Sequence, residues 1–315
     1  MDLSRVDQEL MSYLEKFPEI NIWDDLPATR VLSLEIMRKR IAKLTPIHDV
    51  KSEDFDVPSK DRSTVKVRLY RPSKYFGVLP ALIWLHGGGY CLGGVEHDDQ
   101  IVRQIVQAVG CIVLSVDYRL APEFPFPAAF NDSYAALVWL FKNASKVGVD
   151  DKRIAIGGAS AGGGLAAGLA LAARDRGEVN LIFQLLFCPM IDDRNVTPSS
   201  YSITDTRVWN RDCNLRGWSA YLGEKQSMKP VSYYAAAARA ESLESLPATY
   251  MAVGSEDLFI DENRIYAERL KEAGVAVDFS VIQGGFHGFE FIPEARLSKE
   301  TRHGYFSALK KALFK

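Results

Sequence analysis

Residues Gly158-Ala159-Ser160-Ala161-Gly162 set a serine hydroxyl between two glycines, where an apolar strand-like run, RIAI, gives way to a helix-compatible run from Leu165 to Arg174. A serine hydroxyl is a poor nucleophile at neutral pH and needs a general base beside it. The flanking glycines allow a sharp turn without a clashing Cβ, which lifts the hydroxyl above the sheet, and the following helix points its positive end at the same spot. Such an arrangement serves covalent acyl transfer. A bare Gly-x-Ser-x-Gly is often an ordinary glycine-rich turn, so the strand before it and the helix after it carry the inference. The overlapping Gly162-x-Gly164-x-x-Ala167 superficially fits a dinucleotide fingerprint, but it lies inside the helix run and lacks a well-placed acid about 20 residues on. No Gly-Lys-Ser/Thr phosphate loop is present either.

A second group, His86-Gly87-Gly88-Gly89-Tyr90, follows the apolar run ALIWL directly. Three consecutive glycines are costly for mere connection, and close backbone approach explains them better. Acyl transfer needs preorganised donors where the carbonyl oxygen becomes negative, and the amides of Gly88 and Gly89, joined by that of Ala161, can supply them. Of the five histidines, His287 in Gly-Gly-Phe-His-Gly-Phe is the best placed base, since it lies in a loop after the last expected strand. His48 and His303 sit in polar surroundings, His97 fits a helix start, and His86 is assigned to holding the glycine loop. The base needs an orienting carboxylate at the end of the preceding strand. Asp257 fills that place, with Glu256 and Asp261 as competitors. The chain order Ser160, Asp257, His287 is the order that follows a strand–turn–helix nucleophile.

The elements needed to hold these groups are legible as alternating periods. Up to about residue 45 the apolar positions recur at helical spacing, with Pro18 and Pro27 separating two helices. After Pro46 the pattern changes, and Val65, Val67 and Leu69 with Lys66 and Arg68 between them read as a half-buried strand. LPALIWLH (79 to 86), CIVLSVDY (111 to 118) and RIAIGG (153 to 158) read as strands buried on both faces, separated by helices near 97–109 and 128–145. Further strands are expected at 181–189, 248–254 and 277–283, before a closing helix from about 299 to 314. The expectation is an α/β protein with a mostly parallel sheet. Residues 191–234 are polar and aromatic without strand period, and read as a helical insertion able to cover a site.

With 315 residues and 47% hydrophobic content, the chain can build one large α/β domain. Its 38 basic and 40 acidic side chains give a net charge of -2 without clustering, which argues against nucleic acid and anionic membrane as partners and for small molecules. The four cysteines are far apart and lack zinc-site spacing, so they read as reduced thiols. The N-terminus lacks the basic start and apolar run of a secretory signal, and no run approaches the roughly 20 apolar residues of a membrane span. A cytoplasmic protein without metal or organic cofactor is the expectation, and a homodimer is compatible with it.

Together these residues resemble the hormone-sensitive-lipase group of α/β-hydrolases, in its bacterial carboxylesterase and acetylesterase branch. HGGGY, GASAG, Gly-Phe-His-Gly-Phe, and Asp117-Tyr118-Arg119-Leu120-Ala121-Pro122-Glu123 followed by Phe126-Pro127-Ala128-Ala129 carry the resemblance, which involves almost the whole chain. It implies an eight-stranded, mostly parallel sheet flanked by helices. Residues 1–47 and the insertion near 191–234 would form a helical cap on a catalytic domain of residues 48–315. Carried over by position, the triad falls on Ser160, Asp257 and His287, and the oxyanion donors on Gly88, Gly89 and Ala161. Short acyl esters are the implied substrates. Two departures stand out: the family elbow often has Asp where this chain has Ala159, and its Asp-Pro-Leu appears here as Asp257-Leu258-Phe259. Tyr118 and Arg119 read as structural supports. Aromatic residues of the expected cap, Tyr13, Phe17, Trp209 and Trp218, fit either pocket walls or core. The same triad also serves amides and lactones, and the same fold serves non-catalytic small-molecule receptors.

Overall fold

The computed structural model describes residues 1–17, 21–61, 63–223 and 230–315. Eight strands, β1 (Val50–Pro58), β2 (Thr64–Pro72), β3 (Leu79–Leu85), β4 (Ile112–Asp117), β5 (Val149–Ala159), β6 (Phe183–Phe187), β7 (Ala248–Glu256) and β8 (Val277–Phe286), form one sheet in the order β1-β2-β4-β3-β5-β6-β7-β8. The β1–β2 and β2–β4 pairs are antiparallel, and every pair from β4 to β8 is parallel. The eight-stranded, mostly parallel α/β sheet expected from the sequence is therefore present. Every residue of β3 and β6 is buried, as continuous apolar runs require in a sheet covered on both faces. Val65, Val67 and Leu69 of β2 are buried, alternating with more exposed neighbours. Strand β1 was not resolved from the sequence pattern because it is an edge strand, and of its nine residues only Val50 and Val57 are buried.

Right-handed crossovers dictate where the helices go. The step from β3 to β4 runs in one direction across the sheet and the step from β4 to β5 in the other, so α3 (Val95–Val109) and α4 (Ala128–Lys142) take opposite faces. Helix α10 (Arg296–Leu313) packs beside α3, and α6 (Ala161–Arg176) beside α4. The short α5 (Ala144–Val147) leads into β5, and α9 (Ile260–Glu272) joins β7 to β8. With the strands parallel, the ends of β3, β5, β7 and β8 open onto one rim, where ligands of open α/β sheets bind.

Two segments outside this frame meet that rim. At the N-terminus, α1 (Gln8–Leu14) precedes α2 (Leu26–Ile41). Pro27 does not separate helices as expected; it lies in the first turn of α2, where a missing N–H costs nothing, behind the Asp25 side chain that accepts from the Ala28 amide at 2.9 Å. Pro18 lies outside the described residues. Between β6 and β7 the chain forms α7 (Pro198–Ser202) and α8 (Arg211–Leu222), while residues 224–229 of the expected insertion also lie outside the described ones. The two segments touch, because the Met1 ammonium donates to the Ser202 carbonyl at 2.8 Å. Arg30 of α2 fastens the first to the frame through Cys91 O at 2.7 Å, Ala121 O at 2.8 Å and the Glu123 carboxylate.

Candidate active site

Strand β5 ends at Ala159 and α6 begins at Ala161, so Ser160 must turn the chain within one residue. It does so at φ 54°, ψ −122°, a positive-φ conformation that a residue bearing a Cβ adopts only under external support. The support is visible: the Ser160 amide donates to Phe187 O at 2.9 Å, and its carbonyl accepts from Gly164 N and Met190 N at 3.0 Å each. Gly162 lies so close under the end of β3 that a Cβ there would strike the carbonyls of Leu85 and His86. The glycine thus permits the backbone approach that brings the loop after β3 against Ser160.

His287 follows β8 and Asp257 follows β7, and the parallel pairing of these strands sets the two side chains next to each other. The Asp257 carboxylate only accepts, so His287 donates from Nδ1 to Asp257 Oδ2 at 2.8 Å. That leaves Nε2 unprotonated, 3.0 Å from Ser160 Oγ, to accept the hydroxyl hydrogen. The other oxygen of Asp257, Oδ1, accepts from the Phe259 amide at 2.9 Å, and the Phe259 ring packs edge-on to the imidazole at 5.1 Å. Burial pushes the imidazole pKa down, but the charge and hydrogen bond of Asp257, aided by Glu290, outweigh it and hold His287 above its usual 6.5. The two competing acids are engaged elsewhere: Glu256 pairs with Arg5 at 3.0 Å, and Asp261 accepts from Ser199 N at 2.8 Å.

The glycine loop lies alongside. A Cβ built on Gly87 would be 3.5 Å from that of Ser160, and Gly88 and Gly89 take φ values of 118° and 59°. Trp209, between α7 and α8, packs its ring directly on Gly89. His86 holds the loop from beneath: its Nδ1–H donates to Gly87 O at 2.8 Å while its ring stacks on Tyr118 at 4.0 Å. Burial pushes His86 down to about 4, so it stays neutral, and the Tyr118 hydroxyl donates to the His86 carbonyl at 2.7 Å. Arg119 anchors the same segment by pairing with buried Asp132 at 2.8 Å and with Asp61 at 2.7 Å. Ala161, fully buried at the first position of α6, presents one of the amides that a helix leaves without an internal acceptor.

All four cysteines are free thiols. Among the described residues, the cluster with metal-ligand character is Cys188, Asp257 and His287, with ligand atoms within 4.8 Å of one another. Two of the three are already bonded to each other, and burial holds the Cys188 thiol well above its usual range, so the group does not resemble a thiolate metal site. Glu290, three residues past His287, and Phe259, whose amide donates to Asp257, join this group without having been singled out in the sequence. The first signal was available in the one-turn spacing from His287. The second depends on a loop conformation that composition does not disclose.

An eight-stranded parallel-cored sheet with a serine on a strained strand-to-helix turn defines the α/β-hydrolase class. Residues 82–291 match the family model described as alpha/beta hydrolase fold. The chain is 33% identical to "Carboxylesterase NlhH" of Mycobacterium tuberculosis over 317 residues, covering 98% of this chain and 96% of that one. It is 30% identical to "Arylesterase" of Saccharolobus solfataricus, covering 98% and 99%. Among solved structures, "Bacterial Heroin Esterase" superposes with a TM-score of 0.95 at 37% identity over 100% of both chains. This chain belongs to the α/β-hydrolase family, in its bacterial branch of hormone-sensitive-lipase-like esterases.

Proposed function

We propose that this protein is a carboxylesterase that hydrolyses short-chain acyl esters through Ser160, His287 and Asp257. The observation that carries the reading is the continuous hydrogen-bonded series from the Ser160 hydroxyl through both imidazole nitrogens to a buried carboxylate. His287 Nε2 takes the hydroxyl proton as Ser160 Oγ attacks the ester carbonyl, and the imidazolium is stabilised by Asp257. The amides of Gly88, Gly89 and Ala161 receive the oxyanion. His287 then gives its proton to the departing alcohol, leaving an acyl-serine. Water attacks that ester carbonyl in turn, transfers a proton to His287 and releases the acid with Ser160 restored. No step draws on a metal or cofactor.

In this reading residues 1–47 and the insertion at 191–234 act as the cap over the catalytic domain of residues 48–315. The contact of Trp209 with Gly89, and of Met1 with Ser202, supports it, since both segments then bound the space in front of the oxyanion loop. A cap seated so close favours small acyl groups. Among the described residues no helix is long and apolar enough to cross a membrane. Hydrolysis of a series of p-nitrophenyl esters, beside matching anilides, tests the reading. We expect acetate to butyrate to be preferred, anilides to be poor, and Ser160→Ala to be inactive on all of them. Ser160→Ala with most of the wild-type rate would overturn it.

A further inference from the structure

Glu290 lies in the single turn Phe289–Phe291 that follows His287, past the left-handed Gly288 at φ 84°. It is 5% exposed, and among the described residues neither of its carboxylate oxygens has a hydrogen-bond partner. An ionised carboxyl so placed is expensive, and a buried polar group without a partner calls for a physical account. Its neighbour Arg302 of α10 does not neutralise it by direct bonding. The guanidinium instead donates to the Glu290 backbone carbonyl at 2.6 Å and to Pro293 O at 2.9 Å, fixing the turn. Ser298 adds a bond to Phe289 O at 2.7 Å. The backbone is clamped while the carboxyl group is left free to face inward.

Glu290 helps line a cavity of about 60 Å³ behind the nucleophile elbow, together with Trp84, Ala159, Phe187, Arg302 and Tyr305. Ala159 immediately precedes Ser160, and it is the position at which elbows of the resembling family often carry Asp. The residue that departs from the pattern and the acid without a partner therefore share one cavity. We propose that Glu290 is a positioning residue of the hydrolytic relay, bringing into that cavity, from the turn that carries the base, the acid that Ala159 does not supply, and stabilising in its ionised form the imidazolium of His287.

This inference rests on the reading of Ser160, His287 and Asp257 given above. The groups facing Glu290 make the role electrostatic. His287 lies on its own turn, with Asp257 and the Cys188 thiol at the neighbouring strand ends. Asp98 of α3, bonded to Trp84 Nε1 at 2.6 Å, and His97 come from one side, Arg302 and Tyr305 of α10 from another, and Arg40 of α2 closes the cavity. Burial pushes Glu290 up to about 8, the imidazolium opposes the rise, and Asp257 and Asp98 add to it. Glu290 thus changes charge within the pH range in which esters are assayed, and its negative form favours a positive His287.

The test is the pH profile of hydrolysis of p-nitrophenyl acetate by the full chain, with background hydrolysis subtracted. Wild type should show two ionisations on the rising limb, one for His287 and a second near 8. Glu290→Gln should show one, with kcat above that pH lowered about tenfold and KM within about twofold, because a charge is lost and no substrate contact is touched. Ala159→Asp combined with Glu290→Ala should recover most of what Glu290→Ala loses. A wild-type profile with a single ionisation overturns the proposal without need of any variant. So does Glu290→Gln with an unchanged two-step profile, or a double variant no more active than Glu290→Ala. Failure of the underlying reading is separate, because it appears as wild-type hydrolysis that survives Ser160→Ala.

Discussion

Helices α2 and α6 have the same length, sixteen residues, yet α6 is buried from Ala161 through Ala173 whereas α2 buries only Leu26. Their compositions explain the difference. Gly and Ala dominate α6, so its backbone sinks between β3, β5 and β6, and it starts directly after Ser160. Helix α2 turns only a half-buried row of Leu34, Met37 and Ile41 inward, exposes Val31, Leu32 and Ile36, and is held also by separate polar contacts: Arg30 to the loop after β3, Arg38 to Glu96 and Ser33 to His97. In the proposed reading, the chemistry lies where side chains have no room to move, and the segments that would cover it are held largely through a few separate bonds.

If that contrast holds, substitutions around α6 should act on kcat or on folding, and substitutions in α2 should act weakly or on KM. The largest effect is expected for Asp257→Asn, which keeps the shape but removes the charge that orients Nδ1–H. A loss of about 10³- to 10⁴-fold in kcat/KM should follow, measured on a short ester. Because burial alone pushes His287 down, the limb of kcat/KM that rises with pH, set above 6.5 in wild type, should move to lower pH in this variant. Next comes Gly162→Ala, whose added Cβ meets the Leu85 and His86 carbonyls. It should reduce unfolding free energy by about 3 kcal/mol in urea titration, near the upper end for overpacking. Arg30→Ala should reduce it by about 1 kcal/mol and raise KM with kcat retained. Leu32→Ala, on the exposed face of α2, should change stability by less than about 0.5 kcal/mol. A kcat effect from Arg30→Ala as large as that of Asp257→Asn would break the contrast.

The same contrast explains what could be read in advance. Strand β3, the body of β4 and the second half of β5, with the elbow, announce themselves because burial on both faces demands unbroken apolar runs and a sharp turn demands glycine. The histidine in the loop after β8 follows from chain order. Edge strand β1 was hidden because water, not packing, chose most of its side chains. Pro27 misled because a proline that ends one helix and a proline that starts another look alike until the capping Asp25 is in place. Asp257 is favoured over Glu256 and Asp261 in the sequence by its place at the strand end, and the coordinates separate these three acids, which lie within six residues, by what each meets across the fold: His287, Arg5 and Ser199 respectively. The cavity shared by Ala159 and Glu290 joins positions 131 residues apart by numbering (290 minus 159), a proximity that only the closed sheet creates.

The most direct test of the central claim, that the Ser160 hydroxyl is the activated nucleophile, is covalent inactivation with a short dialkyl organophosphate followed by peptide mass spectrometry. One phosphoryl group per chain, on the peptide that contains Ser160, gained in step with loss of esterase activity, is the result this account predicts. Label on a different residue at full inactivation, or a chain phosphorylated on Ser160 that still hydrolyses esters, would contradict it.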